Sequence, residues 1–350
     1  MVRRIAFAVP GDLATPTGGY AYDRRMIAEL EGLGWQIDLI YLGEGFPWPS
    51  DMVRAAAAAR LASIAAGRTI VIDGLALGVL PDVAQRLQGR NPLIALIHHP
   101  LAMESGLTAR QSGDLRASER AALAAARGVI VTSAATARQL AFDYDVPAER
   151  IAVARPGNDP APMSAGSSDG IVRLLSVGAV VRRKGFDVLI EALATMADLP
   201  WRLTIAGDRG RDLNTVVQLD ASIARHKLGE KIAMPGAVPD RQLAELYAVA
   251  DLFVLASRYE GYGMAYAEAI AHGLPVIGTT AGAIPETVPA SAAVLVAPDD
   301  VNALAHALRD TIENSERRRG LAASARQAAE LLPAWQESAK IFLQALEAVA

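Results

Sequence analysis

The chain of 350 residues contains no cysteine. Disulfides, thiolate metal sites and a cysteine nucleophile are therefore excluded. No apolar run approaches the roughly 18–20 residues needed to span a bilayer. The first apolar stretch, Ile5 to Val9, is too short for a secretory leader and runs into a loop rather than a cleavage site. A cytoplasmic protein is expected, with peripheral contact at the inner membrane face left open. Net charge is −4, so bulk nucleic-acid binding is not expected. Lysine is scarce: Lys184, Lys227, Lys231 and Lys340 are all there is, and the N-terminal half uses arginine alone. Residues 1–163 balance 16 basic against 16 acidic side chains, leaving the whole net charge on the remainder. No G-x-G-x-x-G follows the first strand, and no acidic residue ends the second, which disfavours a dinucleotide oxidoreductase.

Hydrophobic residues make up 52% of the chain and charged residues 21%, enough to bury two cores of ordinary size. The pattern alternates short, near-continuous apolar runs with helical periods. Strands are predicted at 5–9, 36–42, 69–73, 93–98, 128–132 and 151–154, with helices at 20–31, 51–66, 81–87, 113–127 and 134–142. Such strands separated by helices indicate a parallel sheet covered on both faces. Residues 155–170 (RPGNDPAPMSAGSSDG) break the pattern and read as a linker. The alternation then restarts, with strands at 172–177, 202–206, 231–234, 252–256, 275–278 and 293–296. Helices are expected at 185–196, 213–227, 240–249, 264–272 and 301–331. The expected class is α/β, with two Rossmann-like, doubly wound domains at 1–160 and 171–332 facing a ligand cleft. Trp335, Ala339, Phe342, Leu343 and Leu346 share one face of a last helix, 333–350, which must pack on something.

One stretch, SRYEGYGMAYAEAIAHGLPVI from Ser257 to Ile277, concentrates chemistry. A buried strand enters a turn with Gly261 and Gly263, and a helix starts at Met264. A helix start after glycines offers unpaired N–H groups and a positive dipole end to a phosphate. Glu260 in the turn and Glu268 on the helix suit hydroxyl groups, Glu268 those of a ribose; a solvated helix start fits these two carboxylates as well. Three cations, Arg182, Arg183 and Lys184, end another strand and suit a diphosphate, although a solvated basic turn is the alternative. Gly18 and Gly19 precede a helix after the first strand, again suiting a phosphate. His98 and His99 end an apolar strand, where a structural histidine fits slightly better than a ligand-facing one. No metal site is expected there, because no third ligand is spaced to match. Asp143 and Asp145 form a D-x-D at a helix end and are not expected to hold a metal. Asp208 suits either a ligand or a turn. Gly282 to Glu286 is expected beside the Glu260 turn.

Together these residues resemble a retaining glycosyltransferase of family 4 (the group 1 glycosyltransferases), whose architecture is called GT-B. The resemblance covers nearly the whole chain. It is most specific at Glu260 and Glu268, the E-x7-E element, followed by G-x-P-V-I. Gly18-Gly19, His98-His99, Val177-Gly178 with Arg183-Lys184-Gly185, Gly236 to Val238, and Gly282 to Glu286 support it. It implies a last helix returning to the N-terminal domain and transfer of a hexose from a UDP- or GDP-linked sugar to an acceptor hydroxyl with retention of configuration. The implied acceptor is a saccharide, a glycolipid or a small molecule. No cofactor or metal is implied beyond the donor itself. Lys184 with Arg182 and Arg183 would meet the diphosphate beside Gly178. Glu260 would face the sugar, Gly263, Met264 and Glu268 the nucleotide, and backbone at Val238 the base. Gly18, Gly19 and one of the histidines, with His98 taken as catalytic, would approach from the N-terminal side. One position departs from the pattern: the residue after Gly178 is Ala179, where the family has arginine. Arg182 or Arg183 is expected to supply that charge. A nucleotide-sugar epimerase of the non-hydrolysing kind and a non-catalytic nucleotide-sugar-binding protein are the alternatives.

Overall fold

Each run of strands and helices forms one all-parallel sheet. The structure, a computed structural model, describes residues 3–349. Its chain divides into two compact units. Unit 1 comprises residues to Gly157 together with the segment from Pro333 onward, and unit 2 comprises Asn158–Leu332.

In unit 1 the strands are β1 (Arg4–Val9), β2 (Gln36–Tyr41), β3 (Ile70–Asp73), β4 (Leu93–Ile97), β5 (Gly128–Val131) and β6 (Ile151–Val153). Their order is β2-β1-β3-β4-β5-β6, all parallel. β3, β4 and β5 are buried along their whole length, as apolar strands covered on both faces must be. Side-chain caps start the intervening helices: Thr17 accepts from Tyr20 N, Ser50 from Val53 N and Ser133 from Thr136 N. The helix expected at 113–127 begins earlier, at Ala109, because Thr108 and Gln111 form a capping box.

The last helix, Trp335–Val349, belongs to unit 1. Its buried face carries Trp335, Ala339, Phe342 and Leu346. Phe342 stacks on Phe7 of β1 with centroids 6.4 Å apart, and Arg25 lies 5.6 Å over the Trp335 ring. Gly157 allows the contact, since a Cβ there would fall 2.3 Å from Trp335 N.

In unit 2 the strands are β7 (Val172–Val177), β8 (Trp201–Ala206), β9 (Ile232–Gly236), β10 (Leu252–Val254), β11 (Val276–Thr279) and β12 (Ala293–Val296). The order β12-β11-β10-β7-β8-β9 is again all parallel. Two readings of the sequence need correction here. The helix expected over 301–331 is two, Val301–Glu313 and Ser315–Ala329, because Asn314 leaves the helix and caps the second through Arg317 N. The segment read as a linker is anchored in its second half. Ser164 N donates to His272 O at 2.8 Å, and Ser164 Oγ donates to Ala250 O at 2.6 Å. A Pro- and Ser-rich composition reports lost periodicity, not lost contacts. No helix among the described residues is long and apolar enough to cross a membrane.

Both sheets reverse direction once. Unit 1 has its switch point between β1 and β3, unit 2 between β7 and β10. Ligands of open parallel sheets bind outside the carboxyl ends of strands at such points.

Candidate active site

The loops after β7 and β10 lie side by side at the switch point of unit 2, and they carry the cations and the first glutamate. After β7 the chain makes a single tight turn, Arg182–Lys184, and enters the helix Phe186–Ala194 through Gly185. Gly185 has φ +66° and packs so closely on β10 that a Cβ would sit 1.9 Å from Ala256 O. Glycine is required there by both backbone and space. The turn is thereby pressed onto the end of β10, where Glu260 waits.

Glu260 is buried, at 5% exposure. Lys184 Nζ donates to its Oε1 at 2.6 Å, Arg183 NH1 to its Oε2 at 3.3 Å, and Ser257 Oγ to Oε1 at 2.6 Å. Arg183 NH1 also donates to Tyr259 O at 2.9 Å. Burial alone would push the carboxyl up, but the charges of Lys184 and Arg183 and the hydrogen bonds from Lys184 and Ser257 outweigh it and hold the pKa at about 2. The carboxylate is ionised at any physiological pH, and it holds two cations whose side chains are only 14% and 16% exposed. Arg182 lies differently: it is exposed, and its carbonyl accepts from Arg258 NH1 at 2.6 Å. Of the two arginines that could replace the charge absent at Ala179, Arg183 is the one drawn into the carboxylate network. The aliphatic part of Lys184 crosses Gly178, where a Cβ would stand 3.0 Å from Lys184 Cε.

Gly263, at φ +94°, caps the helix Met264–Ala271. Tyr266 N and Ala267 N donate to Gly263 O and close the first turn. One turn on, Glu268 accepts from Tyr247 Oη at 3.0 Å. Burial, with Asp240 adding to it, raises the Glu268 carboxyl to about 7. Two glutamates eight residues apart therefore differ sharply in proton affinity, since cations outweigh burial at Glu260 and burial prevails at Glu268. Val238 lies just beyond the end of β9, at the edge of the sheet. The turn 281–286 does sit against the Glu260 turn: Ala283 N donates to Glu260 O at 2.9 Å, and a Cβ on Gly282 would fall 2.2 Å from that carbonyl. Asp208 accepts from Gly210 N at 2.7 Å and builds a turn.

In unit 1, Gly18 and Gly19 form the first turn of the helix Gly18–Gly32, after β1. His98 follows β4 on the other side of the switch point. Its ring lies against Gly19, where a Cβ would be 3.1 Å from His98 Cδ2. His98 Nε2 meets Asp23 Oδ1 at 3.0 Å and Asp73 Oδ2 at 3.7 Å. His99 turns instead to Glu104, with Nε2 to Oε2 at 3.3 Å. The expectation that no further ligand-type residue accompanies the histidines is corrected: atoms of Asp23, Asp73 and His98 all lie within 4.8 Å of one another. Spacing could not show this, because the three come from a helix, a strand end and a second strand end. A signal did exist: Asp23 occupies the apolar face of its helix with Tyr22, Met26 and Leu30. A carboxylate on a core face is rarely idle. Asp143-Tyr144-Asp145 stands at the end of the helix Ala134–Asp143, with Asp145 paired to Arg120.

Two family models match the chain: "Glycosyltransferase Family 4" over residues 73–162 and "Glycosyl transferases group 1" over residues 164–328. The MMP alpha-(1->4)-mannosyltransferase of Mycolicibacterium hassiacum is 27% identical over 320 residues, 84% of this chain and 74% of that protein. Of the first three sequence relatives, the chain spans between 26% and 74% of their own length. Among solved structures, the sucrose-phosphate synthase of Thermosynechococcus elongatus superposes with a TM-score of 0.81 at 20% identity, covering 97% of this chain and 98% of the other. Anabaena Alr3699/HepE in complex with UDP and glucose gives 0.76 at 19% identity, covering 97% and 99%. At these identities the superpositions show the fold.

Proposed function

Because the chain belongs to the group 1 glycosyltransferases and has their two-domain α/β GT-B fold, we propose that it moves a hexose from a UDP- or GDP-linked sugar to an acceptor hydroxyl with retention of configuration. One observation carries this reading: the buried set of Lys184, Arg183, Ser257 and Glu260 at the switch point of unit 2, with Glu268 on the helix that follows. In support, a solved relative in fold, Anabaena Alr3699/HepE, holds UDP and glucose.

In this reading the nucleotide belongs to unit 2. Glu268 accepts hydrogen bonds from the ribose hydroxyls, Val238 lies on the base side, and the helix start at Gly263 and Met264 meets a phosphate with N–H groups. Lys184 and Arg183, with Arg182 nearby and Gly178 giving close backbone approach, answer the charge of the diphosphate. As the sugar C1–O bond lengthens, negative charge grows on the leaving phosphate. Fixed cations that need no rearrangement stabilise that stage more than the ground state, which is how rate is gained. Glu260 keeps both cations in place before the donor arrives and faces the sugar. In unit 1, Gly18 and Gly19 offer close backbone approach to a ligand, and His98 is the side chain assigned to catalysis. The proton of the acceptor hydroxyl passes to the leaving phosphate oxygen, so the reading requires neither a protein base nor a metal.

A thermal-shift panel of nucleotide sugars tests the donor class. A ligand near one hundred times its Kd stabilises the protein by about 2.7 kcal/mol. The donor so found is then offered with saccharide, glycolipid and small-molecule acceptors, and the product's anomeric configuration is read by NMR. If no nucleoside diphosphate sugar stabilises the protein, the reading is wrong. Conversion of the donor without acceptor would identify an epimerase instead.

A further inference from the structure

We propose that Asp23 is a positioning residue, and that Asp73, Asp23 and His98 form a buried chain in which Asp73 carries a proton, Asp23 is ionised, and His98 is held with its proton on Nε2.

The three residues arrive from separate elements, and each is fixed by its own support. Gly74 lets the end of β3 press on β4, since a Cβ there would meet Ile97 Cδ1 at 2.6 Å. Asp73 Oδ1 then accepts from Leu75 N at 2.7 Å, which orients its carboxyl. Gly19 lets the helix Gly18–Gly32 lie on the face of the imidazole, and the Tyr22 ring meets it edge-on with centroids 5.4 Å apart. Thr132 Oγ1 donates to His98 O at 3.2 Å and pins the backbone. The imidazole therefore has one place to be, and in that place Nε2 faces Asp23 Oδ1 at 3.0 Å.

Hydrogen-bond accounting then assigns the protons. Asp23 is 0% exposed and Asp73 2%. With Asp23 ionised, its Oδ1 only accepts, so the ring atom facing it is the donor Nε2–H. Asp23 Oδ2 is buried and has no donor from any hydrogen already in place. The carboxyl of Asp73 lies in the same cluster. Two ionised carboxylates here would repel each other and leave Oδ2 orphaned, whereas one proton on Asp73, shared toward Asp23 Oδ2, removes both penalties. The electrostatics of the cluster agree. Burial and the charge of Asp23 raise Asp73 to about 7. Burial works against the charged imidazole, yet the charge of Asp23 and its hydrogen bond raise His98 above its usual value. With Nε2 engaged inward, Nδ1 is the nitrogen left to accept a hydrogen bond.

The charged and titratable groups facing His98 are Asp23 and Tyr22 from the helix and Asp73 from the end of β3. The proton assignment stands on this geometry alone. Its kinetic consequence rests on the transfer reading above, in which His98 is catalytic.

The test uses the full-length protein labelled with 15N-histidine, with His98 identified among the five histidines by its absence in His98→Gln. Just above the ring's own titration midpoint the His98 spectrum should show a protonated Nε2 and a bare Nδ1. In Asp23→Asn the two tautomers should mix and the titration midpoint of the ring should fall. With the donor found by the thermal-shift panel, Asp23→Asn should lower kcat about a hundredfold, the size of effect that a misplaced group produces, while KM for the donor changes little. A wild-type His98 with bare Nε2, or an Asp23→Asn spectrum identical to wild type, would overturn the proposal whatever the enzyme transfers. A shift of Nε2 on adding Mg2+ or Zn2+ would overturn it too, since the trio would then be a cation site. An intact tautomer shift with unchanged kcat would reject the positioning role and leave the family reading standing.

Discussion

Replacing Glu260 by Gln removes one charge from a network of three and changes little else in size. The wild-type carboxylate is 5% exposed, and its pKa falls from 4.5 to about 2 under Lys184 and Arg183. A displacement of that size corresponds to about 3 kcal/mol of preference for the charged form in the folded state. The sign is that of a depressed carboxyl: the stabilisation is present above the unfolded pKa near 4.5 and is lost as pH falls through about 2. Leaving partly buried cations without their partner typically costs about 3–5 kcal/mol. A Gln carbonyl still accepts from Lys184, so the lower end applies. For a unit of this size about 1 kcal/mol moves Tm by roughly 2–4 °C. Calorimetry of Glu260→Gln at pH 7 should therefore show the transition of unit 2 about 6–12 °C lower than in wild type, and the gap should close between pH 4.5 and 2. Inorganic pyrophosphate should raise the Tm of the variant more than that of wild type, because Lys184 and Arg183 then lack a counter-charge. A gap under ~1 kcal/mol, or one that does not vary with pH, would refute the electrostatic account and leave only packing.

Lys184→Ala should lower turnover about a hundredfold, the usual loss for one fixed charge donor, with the fold intact by circular dichroism; near-normal turnover would remove Lys184 from the phosphate site. Glu268 has a raised pKa, so it favours the fold at low pH, and that contribution is lost as pH rises through about 7. Glu268→Gln should accordingly melt higher than wild type at pH 8 without ligand, yet bind UDP or GDP at least about tenfold more weakly by calorimetric titration, the cost of a hydrogen bond to a charged group. Equal affinity would detach Glu268 from the ribose. Phe342→Ala should destabilise unit 1 by about 3–5 kcal/mol, since the ring is fully buried against Phe7. A calorimetric loss confined to the unit 2 transition would contradict the assignment of the last helix to unit 1.

Much of the architecture is local, and local patterns show in a sequence. Six strands in each unit follow from apolar runs such as 93–97 and 252–254, and the short-range caps at Thr17, Ser50 and Ser133 fix where helices start. Errors arose where a single polar residue outweighs a periodic pattern. Asn314 splits a helix whose apolar face continues through it, and Ser164 anchors a segment that composition marks as loose. The E-x7-E element was equally legible, because strand, glycine turn and helix are contiguous from Ser257 to Ile277.

The amino-acid sequence by itself determined the two parallel sheets, the kinship with group 1 glycosyltransferases, and the placing of Glu260 and the cations after strand ends and of Glu268 on the helix that follows. Only the tertiary structure decided what those groups do to one another. Lys184 and Glu260 are 76 residues apart, yet Gly185 seats one turn on the other, and the resulting pair keeps the glutamate ionised. Arg183 rather than Arg182 joins them, a difference of one position that depends on how a single turn is pressed onto β10. Asp23, Asp73 and His98 meet because sheet order brings β1, β3 and β4 together, an order that strand patterns do not encode. The same carboxyl group is driven to about 2 at Glu260, where cations outweigh burial, and to about 7 at Glu268, where burial prevails, surroundings that folding alone supplies.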